Sequence, residues 1–245
     1  METAAARAWL DRWDVQQERY VPDREERFRV VIDVVAAAVA GVARPRIVDL
    51  GCGPGSLATR LAAALPHAEI VGIDADPLLL DLAASAGGSG VRFVRGLLNE
   101  PGWDSCLDGP WDAVVSSTAL HWLEHSQLAD VFATAAERLR PGGVLVNADN
   151  MHLPEPLREY GNLVRKARAA RVGVTDNEDW RAWWEAILAD VDDETAREHS
   201  ALAISHDSSS DLTVDQYTEL LRKAGFTAAG PVWQFGDDHV LVAVR

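Results

Sequence analysis

The sequence predicts an α/β fold, a doubly wound and mostly parallel sheet with helices on both faces, and three observations predict it. Between residues 46 and 148, short apolar runs alternate with amphipathic stretches, the rhythm of repeated strand-helix units. The first run ends in a glycine turn, Val48-Asp49-Leu50-Gly51-Cys52-Gly53-Pro54-Gly55, and a helical pattern follows at once. Nineteen residues after Gly55 the second apolar run ends in an acid, Asp74.

Residues 1–42 read as a helical lid. Phe28, Val31, Val34 or Val35, and Ala38 recur at helical spacing, and Pro22-Asp23 breaks the chain before them. Residues 43–150 form the core. Its expected strands are 46–50, 69–73, 91–95, 111–116 and 143–148. The helices between them are Ser56 to Leu65, Pro77 to Ala86 and Ser126 to Leu139. Leu57, Leu61 and Leu65 stripe the first helix; Leu128, Val131 or Phe132, Ala135 and Leu139 stripe the last. Gly87 to Gly90 is a flexible loop, and Pro141-Gly142-Gly143 turns into the fifth strand. Residues 151–210 interrupt the rhythm as a helical cap, with helices near 155–172 and 178–190 and a charged segment near 193–199. Residues 211–245 close the fold. A helix from Thr213 to Lys223 stops at Gly225, and a hairpin about Gly236-Asp237 joins strands 226–235 and 238–244. The sum is seven strands in one domain of 245 residues.

A formal net charge of -15 argues against a nucleic-acid partner, because phosphate contacts supply most of that affinity. Arg165, Lys166, Arg168 and Arg171 cluster on an expected helix, where a solvated face accounts for them. Cys52 and Cys106 are the two cysteines, and one lies inside the glycine turn, so neither a disulfide framework nor a zinc site is expected and a reducing cytoplasm fits. No hydrophobic signal core opens the chain, and the apolar stretch from Val34 to Val42 is too short to span a bilayer.

Strand, glycine turn, helix, strand and acid are the layout of a nucleoside site. The dinucleotide fingerprint needs glycine at its sixth position, where this chain has Ser56. Asp49, two residues before the first glycine, disfavours a pyrophosphate and suits a ligand carrying an ammonium and a sulfonium. The pattern favours S-adenosylmethionine over a nicotinamide dinucleotide. A nicotinamide-dependent oxidoreductase and a non-catalytic module that binds S-adenosylmethionine stay as alternatives.

Four blocks then carry a resemblance: Val48 to Gly55; Val71 to Asp74; Trp111 to Ser116 running into Ala119-Leu120-His121-Trp122-Leu123; and Leu139 to Val146. The chain resembles a class I S-adenosylmethionine-dependent methyltransferase, and is similar to the small-molecule group that includes trans-aconitate methyltransferase. The resemblance implies an antiparallel last strand and methylation of a small-molecule acceptor at oxygen or nitrogen, by a monomer or homodimer. It covers residues 45 to 150 and the tail, and it leaves the lid and cap, where acceptors are chosen, poorly matched.

Open α/β sheets bind ligands beyond the carboxyl ends of their strands. After the first strand, Gly51, Cys52 and Gly53 face the methionine part of the cofactor through backbone, and Asp49 engages its ammonium or orders the turn. Asp74 takes the ribose hydroxyls, Ala75 packs on adenine, and Asp76 caps the next helix. Relatives place an acid after the third strand to hold adenine; here Leu97 stands in its place, and Leu97 and Leu98 are expected to hold adenine by packing. Ser116 contacts the cofactor through backbone. Tyr20, with Arg24 or Arg27, is expected near the methionine carboxylate. By the resemblance, His121 lies beside the transferred methyl as general base or orienter, against a packed histidine that shapes the pocket. Asp149 is the alternative base. Trp122 and His152 line the acceptor site, and Trp180, Trp183 and Trp184 share one helix face that either covers the acceptor or packs the cap on the core. His199 and His206 are expected at the surface or in packing.

Overall fold

The computed structural model describes residues 1–88, 90–202 and 211–245. Ser89, in the expected glycine loop, and His206 lie outside the described residues. In chain order the elements are α1 (Thr3–Glu18), α2 (Arg24–Ala38), β1 (Arg46–Leu50), α3 (Ser56–Ala64), β2 (Glu69–Asp74), α4 (Pro77–Ser85), β3 (Val91–Arg95), β4 (Trp111–Ser117), α5 (His125–Arg138), β5 (Leu139–Asn150), α6 (Leu157–Val172), α7 (Trp180–Leu188), α8 (Asp193–Ser200), α9 (Val214–Lys223), β6 (Ala228–Phe235) and β7 (Asp238–Val244).

The strands form a seven-stranded sheet in the order β3-β2-β1-β4-β5-β7-β6. β7 inserts antiparallel between β5 and β6, and the pairs among β1 to β5 are parallel. Strand order reverses between β1 and β4, where Ile47 pairs with Ala113 and Val48 with Val114. A doubly wound sheet opens its ligand crevice at such a switch point.

Alternation along the strands divides the core. Val48, Leu50, Val71, Ile73, Val114, Leu145 and Leu241 point to one face and pack with α5 and α9. Ile47, Ile70, Ala113, Val115, Val144 and Val146 point to the other and pack with α2 and α3. Each fully buried side chain of this size contributes about 1.5–3 kcal/mol, so both faces are needed to offset chain entropy. A third cluster joins Trp9 and Trp13 of α1, Leu78, Leu79 and Leu82 of α4, and Trp183, Trp184 and Ile187 of α7. The lid and cap therefore pack on each other as well as on the core.

The fifth strand begins four residues earlier than its sequence suggests. Leu139 already pairs with Trp111, and the ladder slips between Trp111 and Ala113 before Val144 resumes it. Gly142 takes a left-handed φ of 77° and donates to the Arg245 carbonyl, so the Pro141 to Gly143 turn is a bulged part of the strand rather than its lead-in. No helix among the described residues is long and apolar enough to cross a membrane.

Candidate active site

The glycine turn after β1 is shaped by close approach. Gly51 has φ +67°, and a Cβ there would lie 2.3 Å from the Ala119 Cβ. Gly53 has φ +55°, and the nearest atom to a Cβ there is Trp13 Cζ2 at 3.8 Å, so α1 lies across the turn. Cys52 donates its N–H to the Ile73 carbonyl, while its Sγ stands against Gly72. Its backbone remains at the crevice, and its side chain belongs to the sheet.

Two carboxylates flank the turn. Asp49 is 1% exposed, and its Oδ2 has no partner among the described residues. Burial pushes its carboxyl up to about 7, the Asp74 charge adds to that, and the Ala58 N–H and Arg24 oppose it. Asp74 accepts from the Gly53 N–H at 2.7 Å and from the Asp76 N–H at 2.9 Å. Burial lifts it to about 6 against those two donors. Each of its oxygens keeps a further lone pair. Asp76 caps α4 through the Leu78 N–H at 2.9 Å, and Ala75 lies between the two acids.

Beyond β3, Leu97 is half-buried, whereas Leu98 packs into the core on the α5 side. The packing surface expected of both for adenine thus reduces to Leu97. Ser116 turns its Oγ inward to the Leu50 carbonyl at 2.8 Å.

The rims of β4 and β5 bring together two residues that are 28 positions apart. His121 sits in a short 3₁₀ turn, Leu120–Trp122, and its Nδ1 meets Asp149 Oδ1 at 2.8 Å and Oδ2 at 3.0 Å. Asp149 is wholly buried, while the histidine side chain is 22% exposed. Burial and Arg27 disfavour charge on His121, but the charge and hydrogen bond of Asp149 outweigh them, and the net shift is upward. The Trp122 ring stands 4.6 Å from the imidazole. An ionised carboxylate only accepts, so Asp149 holds the proton on Nδ1 and leaves Nε2 of the neutral ring as a base.

The structure separates the two arginines paired in the sequence reading. Arg24 faces the glycine turn, where Asp14 holds its Nη1 at 2.9 Å while its Nε has no partner among the described residues. Burial lowers it to about 10, which leaves it charged. Arg27, wholly buried one turn later, donates to Asp238 at 2.9 Å and to Ser117 Oγ at 3.0 Å, beside the rim that carries His121.

Other expected site residues lie elsewhere. Tyr20 is 42% exposed, and its hydroxyl accepts from the Trp180 N–H at 2.9 Å, so it pins α7 rather than facing the glycine turn. Trp180 and Trp184 pack edge-to-face at 5.8 Å. Trp184 and Trp183 join Trp9 and Trp13 over α4, on the β2 side, away from the β4–β5 rim. A role in covering the acceptor at His121 does not follow from that placement. His152 turns Nε2 to Asp211 at 3.3 Å and leaves a buried Nδ1 without a partner among the described residues. His199 stacks on Trp184 at 4.2 Å and bonds Asp76 at 2.6 Å, a latch between cap and core that no periodicity signals. An open depression of about 340 Å³ between α6 and the β6–β7 turn is lined by apolar and uncharged residues, and holds no group that would favour a cation.

The crevice fits an S-adenosyl sulfonium on three counts. A buried acceptor at Asp49 lacks a donor, a buried donor at Arg24 lacks an acceptor, and Gly53 leaves room for a close backbone approach. Comparisons with known proteins agree. Residues 47–143 match the family described as "Methyltransferase domain". A trans-aconitate 2-methyltransferase from Streptomyces coelicolor is 31% identical, the alignment covering 95% of this chain and 69% of the relative. Its counterpart from Methylobacterium nodulans is also 31% identical, over 74% of this chain and 70% of the relative. The chain belongs to the class I S-adenosylmethionine-dependent methyltransferases. Solved structures of the same fold include an O-methyltransferase family protein from Burkholderia thailandensis (18% identity, TM-score 0.55, 94% of this chain and 62% of that one). Human N-acetylserotonin methyltransferase in complex with the cofactor is another (16% identity, TM-score 0.55, 94% and 56%). The chain spans about three-fifths of the length of these two structures. The methyltransferase is an enzyme whose cofactor is S-adenosylmethionine, and the nicotinamide and non-catalytic alternatives fall away.

Proposed function

We propose that this methyltransferase transfers a methyl group to an oxygen of a small-molecule acceptor, with His121 as general base and Asp149 as the group that orients it. The observation that carries the reading is the two-oxygen grip of a wholly buried Asp149 on His121 Nδ1, 2.8 and 3.0 Å, at the ends of β4 and β5. When bound, the cofactor supplies a methyl group on a positively charged sulfur. Asp49 and Arg24 hold the amino-acid end, Asp74 the ribose, and the backbone of Gly51 to Gly53 and Ser116 lines the crevice. Ala75 and Leu97 supply packing for adenine. Asp149 keeps Nε2 unprotonated and aimed outward, so His121 takes the proton from an acceptor hydroxyl as the oxygen becomes nucleophilic. The buried carboxylate then stabilises the imidazolium. Trp122 forms a wall beside the ring, and Arg27, buried and paired with Asp238, fixes Ser117 at the same rim. The relatives named trans-aconitate 2-methyltransferase support a small acidic acceptor. The crevice and the absence of a membrane-crossing helix among the described residues suit a small molecule met in aqueous solution.

The test is single-turnover transfer from labelled cofactor to a panel of carboxylic acids, phenols and alcohols. On an accepted alcohol or phenol, His121→Ala should slow transfer by roughly 10²-fold or more, the usual worth of a positioned base. An unchanged rate removes His121 from the chemistry. Turnover confined to amines would replace the oxygen acceptor with nitrogen.

A further inference from the structure

We propose that Gln16 is a binding residue for the amino-acid end of the cofactor, reading its ammonium and carboxylate together. Gln16 lies on the inward stripe of α1 with Trp9, Trp13 and Gln17, and it is wholly buried. Neither its Oε1 nor its Nε2 has a hydrogen-bond partner among the described residues. Burying an amide with both ends unmet is costly, and native proteins rarely leave one so without a ligand or water to meet it.

The surroundings of Gln16 identify that ligand. Trp13, one turn earlier, stands over Gly53. Asp14 accepts from Ser56 Oγ at 2.6 Å at the start of α3, and it pairs with Arg24 at 2.9 Å. Residues 13 to 16 are thereby fastened across the glycine turn. Around the glycine turn, Trp13 Nε1, Arg24 Nε and Asp49 Oδ2 are also buried and lack a partner among the described residues, while the similarly unpartnered Arg27 Nε belongs to the rim at Ser117 and Asp238. With the two ends of Gln16, the three atoms at the turn make three donors and two acceptors. A carboxylate and an ammonium on one carbon satisfy such a set. A neutral nucleoside or a nicotinamide offers hydrogen bonds but no pair of opposite charges to set against Asp49 and Arg24. Glutamine suits the position because one side chain supplies both a donor and an acceptor without adding charge.

This inference concerns the methyl donor alone and is independent of the acceptor and of His121. Equilibrium binding to Gln16→Leu tests it with two probes, S-adenosylhomocysteine, which carries the amino-acid end, and 5′-methylthioadenosine, which lacks it. Affinity for the first should fall about tenfold, the scale of a hydrogen bond to a charged group, while affinity for the second stays within error of wild type. The ligand-free melting temperature should not fall, since an unmet amide has been removed. Gln16→Met repeats the measurement with a side chain of similar length and guards against a packing artefact of leucine. Retained affinity for S-adenosylhomocysteine, or an equal loss for both probes, overturns the assignment.

Discussion

Single residues in this crevice trade stability for charge chemistry. Asp49 carries a carboxyl raised from 3.8 to about 7. A raised acid favours the folded state while it is protonated, so its contribution is full below about pH 4 and is lost as pH rises through about 7. The ligand-free Asp49→Asn variant should therefore gain more melting temperature over wild type at about pH 8 than at about pH 5, while binding the cofactor more weakly. Equal gains at both pH values would show that Asp49 is already ionised in the empty crevice. His121 has the complementary sign. Its value is raised above 6.5 because Asp149 outweighs burial, and a base must be neutral to act. The rate should fall on the acid side with a midpoint above 6.5, and Asp149→Asn should lower that midpoint as well as the rate, read from kcat/KM profiles. Gly51 illustrates a purely steric demand. Alanine there meets both the left-handed φ of +67° and the Ala119 Cβ at 2.3 Å, and should cost roughly 3 kcal/mol in denaturant unfolding.

At the scale of elements, patterning located the strands and helices but not the partners of the lid and cap. Periods of two and of about three and a half residues report which face of an element is apolar. They do not report what covers it. The stripe on α1 and the tryptophans on α7 read separately as lid and acceptor cover. In space they close on each other over α4, and His199 of α8 bonds Asp76 beside the cofactor crevice. This makes the cap a latch on the end of β2 that carries Asp74 and Asp76. His199→Ala should raise the cofactor dissociation rate about fivefold, the worth of one net hydrogen bond, with little change in the unfolding midpoint. Stopped-flow displacement measures it, and an unchanged dissociation rate would confine His199 to packing. The early start of β5 has a similar origin. Pro141 and the two glycines read locally as a turn, but the ladder with β4 carries the bulge.

Across the whole molecule, 38 acidic residues against 23 basic ones leave a net charge of -15. Self-repulsion at that charge opposes compaction, and salt screens it. The melting temperature should rise with moderate sodium chloride, and a fall would mean that the surface ion pairs outweigh the net repulsion. The sequence alone determined the sheet, its parallel winding, the glycine turn and the two acids at its edges, because each follows from backbone sterics and apolar period within a few dozen residues. It also named His121 and Asp149 as rival bases. Only the tertiary structure made them one unit, divided Arg24 from Arg27, sent Leu98 to the core and Tyr20 to the surface, and revealed the Gln16 side-chain amide buried with no partner among the described residues. The physical reason is that hydrogen-bond partnership and burial depend on approach between segments far apart in the chain, and local pattern carries no term for that distance.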